Sequence, residues 1–116
     1  MKANELMVGD YLMHNGLPYR VIQVDGIVRD GWILENGEED CGEPIPITAD
    51  ILKKNGWEER PTGYVFYTDG KKYDNSLWYI FCSNTFVVNS AEFQIKYVHE
   101  LQHAMRLCGI KKEIEL

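Results

Sequence analysis

Short segments of alternating hydrophobic and polar residues fill the first third of the chain, and glycine-containing turns separate them. Residues 6–36 hold three such segments, with turn signals at Asn15-Gly16, Asp25-Gly26 and Asp30-Gly31. Asn-Gly and Asp-Gly favour tight hairpins because these residues adopt positive φ angles readily. We therefore predict an antiparallel strand meander over residues 6–36.

Two segments carry helix signals instead. Residues 49–55 follow Thr48, a good N-cap, and end at Asn55-Gly56, a typical helix C-terminus. Residues 97–108 place apolar side chains three and four positions apart, as an amphipathic helix does. These are Val98, Leu101, Ala104, Met105 and Cys108. The pattern predicts a short central helix and a longer C-terminal helix, and we expect residues 111–116 to be loose.

Residues 64–96 favour strands again. The run from Leu77 to Cys82 is apolar throughout, which suits a strand that is buried on both faces or covered by a helix. At 116 residues the chain is long enough for one hydrophobic core, so we predict a single domain over residues 1–116. The predicted class is α+β: an antiparallel sheet or small SH3-like barrel with a short central helix, and a C-terminal helix packed on the sheet.

Composition and charge narrow the function classes. Hydrophobic residues make up 45% of the chain and charged residues 26%, which is ordinary for a globular protein. The net charge is −6, and no basic stripe is present, so nucleic-acid binding is not favoured. No stretch is apolar enough for a membrane span and no secretory signal is evident, so we expect a cytoplasmic protein with no membrane partner.

Cysteine usage agrees with that compartment. Cys41, Cys82 and Cys108 are odd in number and widely spaced, without a C-x-x-C pair. This pattern indicates reduced thiols rather than a disulfide framework. We expect Cys82 and Cys108 to be buried in apolar surroundings and Cys41 to be exposed in an acidic loop.

The sharpest chemical signal is His99-Glu100-Leu101-Gln102-His103. In an H-E-x-x-H helix the two histidines lie on one face and bind zinc, and the glutamate takes a proton from zinc-bound water. His99 and His103 would then be metal ligands and Glu100 the catalytic base. The resulting alternative hypothesis is a minimal zinc-dependent metallopeptidase.

Several features weigh against zinc catalysis. Catalytic zinc normally takes a third protein ligand, but only 13 residues follow His103, and they offer Cys108, Glu113 and Glu115. His14 is the only other histidine. At about 100° per residue, both motif histidines lie opposite the apolar stripe, so we expect them to face solvent. The favoured interpretation has no catalytic residue, no metal ligand and no cofactor, and leans away from an enzyme.

Three strings carry a family resemblance. They are Tyr97 to Gln102 in the C-terminal helix, Leu6 to Leu12 at the first strand, and Ile45-Pro46-Ile47-Thr48 leading to Asn55-Gly56-Trp57. In these the chain resembles a group of small uncharacterised proteins from gut Bacteroidetes genomes and their prophage-like elements. Asn often stands in that group where this chain has His103. The resemblance therefore implies that the second zinc ligand is not a group feature, and it implies no activity.

The sequence thus favours a non-enzymatic accessory or protein-interaction module of mobile-element or prophage origin. Its partner would be another protein or a second copy of the chain. An exposed cluster of tyrosines on one sheet face would support such a partner. The candidates are Tyr64, Tyr67, Tyr73 and Tyr79.

Overall fold

The computed structural model of the protein describes residues 2–28, 30–67, 76–80, 83–88, 91–108, 110 and 113–116. Backbone contacts divide the chain into two compact units. The first unit comprises residues 1–46 and 97–104, and the second unit comprises residues 47–96 and 105–116. Antiparallel sheets and helices occur together, so the predicted α+β class is confirmed. The single domain over residues 1–116 stays a prediction.

The first unit contains the predicted meander. A 3₁₀ turn at Ala3–Glu5 precedes β1 (Tyr11–His14), β2 (Leu17–Asp25) and β3 (Gly31–Leu34), which form one antiparallel sheet in that order. Asn15 and Gly16 have φ angles of 50° and 80° and join β1 to β2 in a two-residue turn, with His14 opposite Leu17. The buried core of this sheet consists of Ala3, Leu6, Leu12, Val21, Trp32 and Leu34.

The segment after β3 runs along both edges of this sheet. Leu34 N–H donates to Glu38 O and Asp40 N–H donates to Trp32 O, so the chain first folds back on β3. Further on, Met13 and Glu43 exchange two backbone hydrogen bonds of 2.9 and 2.8 Å beside β1. The three strands nevertheless form an open sheet in the described chain, so the sheet is observed rather than the predicted small barrel.

The second unit contains the predicted central helix, α1 (Ala49–Lys54). The hydroxyl of Thr48 accepts a hydrogen bond from Ile51 N–H, which satisfies one of the helix's free amides. Gly56, with a φ angle of 88°, ends the helix, and Trp57 N–H donates back to Leu52 O. The helix thus begins at the predicted residue and ends one residue before the predicted end, because capping depends on local sequence.

A five-stranded antiparallel sheet follows α1. Its strands are adjacent in chain order: β4 (Glu58–Arg60), β5 (Gly63–Tyr67), β6 (Ser76–Ile80), β7 (Thr85–Val88) and β8 (Ala91–Gln94). The strands predicted within 64–96 are observed in the described residues, although the last of them ends at Gln94 and the end of the predicted Leu77–Cys82 strand lies outside the described residues. The sequence analysis missed β4, because its three residues are polar and pair with β5 across a two-residue turn.

The C-terminal residues are anchored, so the prediction of a loose tail is wrong for the described part. The amide nitrogen of buried Asn55 donates to Glu115 O, and its amide oxygen accepts from Glu115 N–H. Ile114 is buried in the same stretch. Two hydrogen bonds to one buried side chain hold the tail within the second unit, and hydropathy gave no sign of them.

The C-terminal helix, α2, spans Val98–Leu107, within one residue of its predicted bounds at both ends. Cys108 lies just beyond it and is exposed, so its predicted burial is wrong. Cys41 is half-buried, and Cys82 lies outside the described residues. Among the described helices, none has both the length and the apolar character needed to cross a membrane.

Gly42 fixes the approach of its loop to β1. It has a φ angle of 110°, and a Cβ atom added there would lie 2.9 Å from the Cβ of Leu12. Gly37 also has a positive φ angle, 89°, but has open space around it.

We expect Gly37→Ala to lower the free energy of unfolding by about 1–2 kcal/mol through backbone strain alone. Gly42→Ala should cost about 1–3 kcal/mol more through the clash. Urea denaturation of the two variants measures this, and equal losses would contradict the packing described.

Candidate functional site

Both motif histidines are turned inward, so the prediction that they face solvent is wrong. The residue His99 is 6% exposed, and the side chain of His103 is 24% exposed. The apolar stripe of α2 is buried as predicted at Val98 and Leu101. The error arose because helical periodicity locates apolar residues only, and here polar side chains on the other face are buried as well.

His103 binds a buried carboxylate. Its Nε2 atom lies 2.5 Å from Oδ2 of Asp10, which is fully buried at the start of β1. Met7 N–H donates to the same carboxylate oxygen at 2.7 Å. Because a carboxylate accepts hydrogen bonds, His103 donates from Nε2. The histidine therefore offsets the cost of burying the charge of Asp10.

Gln102 holds the adjacent backbone. Its Oε1 accepts from Tyr11 N–H at 3.0 Å, and its Nε2 donates to Gly9 O at 3.1 Å. The side chain thus bonds the chain at the start of β1 much as a neighbouring strand would. The sequence analysis assigned Gln102 no role, and no sequence signal marks it, because its partners are backbone groups more than 90 residues away.

A cavity of about 470 Å³ opens beside the first turns of α2, and we call it the helix cavity. Its lining consists of Glu5, Pro44, Tyr97, His99, Glu100 and His103. The ring of Tyr97 stacks on that of His99 at 6.0 Å with 8° between their planes, and His103 meets His99 edge-on at 5.8 Å. The cavity therefore combines aromatic faces with two carboxylates.

The Nδ1 atom of His99 is buried and has no hydrogen-bond partner among the described residues. Burial lowers the pKa of His99 below its ordinary value of 6.5, and this outweighs the opposite effect of nearby Asp10 and Glu100. His99 is therefore neutral at pH 7, with one donor and one acceptor nitrogen. Leaving a buried polar atom unpaired costs about 1–3 kcal/mol.

The geometry around His103 does not suit zinc. Two ligand atoms on one tetrahedral zinc ion lie about 3.3 Å apart, so the 2.5 Å separation of His103 and Asp10 marks a hydrogen bond. Glu100 Oε1 accepts from Tyr97 N–H at the helix start. Of the predicted sources of a third ligand, Cys108 is exposed, and the carboxylate of Glu113 lies 3.5 Å from the guanidinium of Arg106.

A different group of side chains has the geometry of a metal site. In the described part of the chain, His14, Glu38 and Cys41 bring three potential ligand atoms within 4.8 Å of one another. The sequence analysis considered only His14 of these three as a zinc ligand, and only through an accident of the tertiary structure. Only the tertiary structure brings them together, because His14 and Cys41 lie 27 positions apart in a sequence with no recognisable metal-binding spacing.

The tyrosines do not form the expected exposed cluster. Tyr64 and Tyr79 are buried in the five-stranded sheet, and the hydroxyl of Tyr79 donates to Ile95 O at 2.7 Å. Tyr67 is half-buried, and Tyr73 lies outside the described residues. The sheet face thus lends no support to a protein partner through Tyr64 and Tyr79.

Comparisons of the chain with protein-family models, with curated proteins and with solved structures find no match. The family resemblance therefore stays an expectation from the sequence.

We expect His103 and Asp10 to be energetically coupled. In a double-mutant cycle of His103→Ala, Asp10→Asn and the double variant, the coupling free energy should be about 1–3 kcal/mol. The reason is that replacing either residue leaves the other without its hydrogen bond. Urea denaturation near neutral pH measures the cycle. Additive losses would show that the two side chains do not act on each other.

The stability of the protein should fall in mild acid because of His99. The lowered pKa means that the unfolded chain binds this proton more readily than the folded protein does. The free energy of unfolding is therefore highest, with respect to His99, above about pH 6.5, where the ring is neutral in both states. It falls progressively below that pH as the unfolded chain takes up the proton. We expect the free energy of unfolding to decline less between about pH 7 and about pH 5 in His99→Gln than in the wild type. Identical pH profiles would contradict the burial of His99.

Proposed function

We propose that the protein is a non-enzymatic interaction module that binds an arginine side chain of a partner protein in the helix cavity. The observation that carries this proposal is that the helix cavity brings the stacked rings of Tyr97 and His99 together with the carboxylates of Glu5 and Glu100. Carboxylates attract a cation, and the face of an aromatic ring such as that of Tyr97 also attracts one. Both features call for a positively charged group.

The charge distribution supports a cationic partner. The first unit contains three Lys and Arg residues and ten Asp and Glu residues, a net charge of −7, and the whole chain has a net charge of −6. The acidic character therefore belongs entirely to the unit that contains the helix cavity. An excess of negative charge on a protein attracts a positively charged partner over a distance and speeds their association.

The shape and chemistry of the cavity favour arginine over lysine. The parallel rings of Tyr97 and His99 offer flat faces, on which a planar guanidinium stacks better than a compact ammonium group. Guanidinium also donates several hydrogen bonds in one plane, which suits the two oxygens of a carboxylate. A volume of about 470 Å³ is within the range of small-ligand sites.

The metallopeptidase alternative has less support. It requires His103 to bind zinc and Glu100 to activate water, but their side chains hold Asp10 and the start of α2. The accessory role and the mobile-element or prophage origin rest on the sequence resemblance, and they remain part of the proposal.

The binding of arginine can be tested with Nα-acetyl-arginine amide as the probe in an NMR titration of the protein. We expect saturable shifts at Tyr97 and His99, and weaker binding of Nα-acetyl-lysine amide. Glu5→Gln and Glu100→Gln should each weaken binding about fivefold, the value of roughly 1 kcal/mol for a partly exposed charge pair. Glu39→Gln, an exposed carboxylate of the same unit that does not line the cavity, should leave the affinity unchanged.

The neutral isostere of arginine provides the decisive control. Nα-acetyl-citrulline amide has nearly the same shape but no charge, so it should not bind measurably. Equal binding of the arginine and citrulline probes, or shifts that do not involve α2, would contradict the proposal.

A further inference from the structure

We propose that His14, Glu38 and Cys41 form a zinc-binding site, separate from the helix cavity and independent of the proposed function. One imidazole nitrogen, one carboxylate oxygen and the Sγ atom lie within 4.8 Å of one another. Zinc bonds of about 2.0–2.3 Å place the ligands of a tetrahedral site about 3.3–3.8 Å apart. Side-chain rotations that move the ligand atoms by about 1 Å therefore bring them to the spacing of a tetrahedral zinc site.

The backbone around the three side chains is fixed from several directions. His14 ends β1 directly before the tight turn at Asn15-Gly16. The paired hydrogen bonds between Met13 and Glu43 hold the Cys41 loop beside that turn. Gly42, which packs on Leu12 without room for a side chain, allows this close approach.

Glu38 and Cys41 have their own supports. Glu38 O accepts from Leu34 N–H, and Glu38 N–H donates to the side chain of Asn36. Cys41 O accepts from the indole N–H of Trp32 at 2.8 Å. Because the backbone is held at each ligand position, binding a metal ion requires only the ordering of side chains, which lowers its entropic cost.

The donor set selects the metal. Thiolate and imidazole suit zinc, whereas magnesium and calcium prefer sites made of oxygen atoms alone. Metal binding requires a neutral imidazole and a thiolate, so His14 and Cys41 would bind zinc only in their deprotonated forms.

Three protein ligands leave the fourth position of a tetrahedral zinc ion for water. A cavity of about 380 Å³ borders the site and has room for that water. Its lining consists of Met13, His14, Asn15, Gly16, Cys41, Gly42 and Glu43. The thiol of Cys41 now donates to Glu39 O at 3.1 Å, and on binding it would release its proton to solvent and bond to zinc through sulfur.

The test uses the full chain with Co²⁺ as a spectroscopic probe and with Zn²⁺ in competition against a chromophoric chelator. We expect one ion per chain and a thiolate-to-cobalt absorption band in the near ultraviolet. Cys41→Ser should abolish the band, and His14→Gln should weaken zinc binding at least about tenfold, the loss of one ligand. Cys108→Ser, which removes an exposed thiol of the second unit, should change neither the band nor the affinity.

Glu38→Gln separates the loss of a metal ligand from a loss of folding, because Glu38 is exposed and its carboxylate has no part in the core. This variant should keep the cobalt band, since the thiolate remains, and bind zinc at least about tenfold more weakly. The proposal is overturned if Cys41→Ser keeps the band, if Cys108→Ser loses it, or if equimolar zinc does not bind. It is also overturned if zinc binding is lost only in His99→Gln or His103→Gln.

Discussion

The first unit depends on the burial of one charge, the carboxylate of Asp10. An ionised carboxylate removed from water costs several kcal/mol unless hydrogen bonds replace its solvation. Met7 N–H and His103 supply such bonds to Oδ2. The backbone of the same residue accepts from Val21 N–H at 2.8 Å and donates to Met7 O, so Asp10 also joins β2 to the segment before β1. The sheet, this segment and α2 therefore meet at a single residue.

This constraint accounts for the placement of the side chains of the H-E-x-x-H string. Once His103 is bound to Asp10 and Gln102 to the backbone of Gly9 and Tyr11, α2 cannot rotate about its axis. His99, one turn earlier, is then held inward with its Nδ1 unsatisfied. The same orientation places His99, Glu100 and His103 in the lining of the helix cavity. The residues that suggest a peptidase are therefore those that line this cavity.

The local features of the fold could be predicted, because their causes lie within a few residues. The Asn15-Gly16 turn has the positive φ angles that its residues favour, and α1 begins after the cap at Thr48 and ends before Gly56. The bounds of α2 were predicted to within one residue at both ends. The two candidate sites could not be predicted, because each depends on pairing between distant segments. Asp10 and His103 are 93 positions apart, and the hydrophobic pattern of α2 contains no information about which polar residues find buried partners.

Amide hydrogen exchange tests the central role of Asp10 and α2 most directly. Met7 and Tyr11 N–H donate to the side chains of Asp10 and Gln102, whereas Ile27 and Val28 N–H donate to the side chain of Asp25 in an exposed turn. All four amides thus have side-chain acceptors, but only the first two are held by the buried contact with α2. We predict that the amides of Met7 and Tyr11 exchange at least about a hundredfold more slowly than those of Ile27 and Val28. The reason is that the first two should exchange only when the whole first unit unfolds. Equal exchange rates for the two pairs would contradict the account.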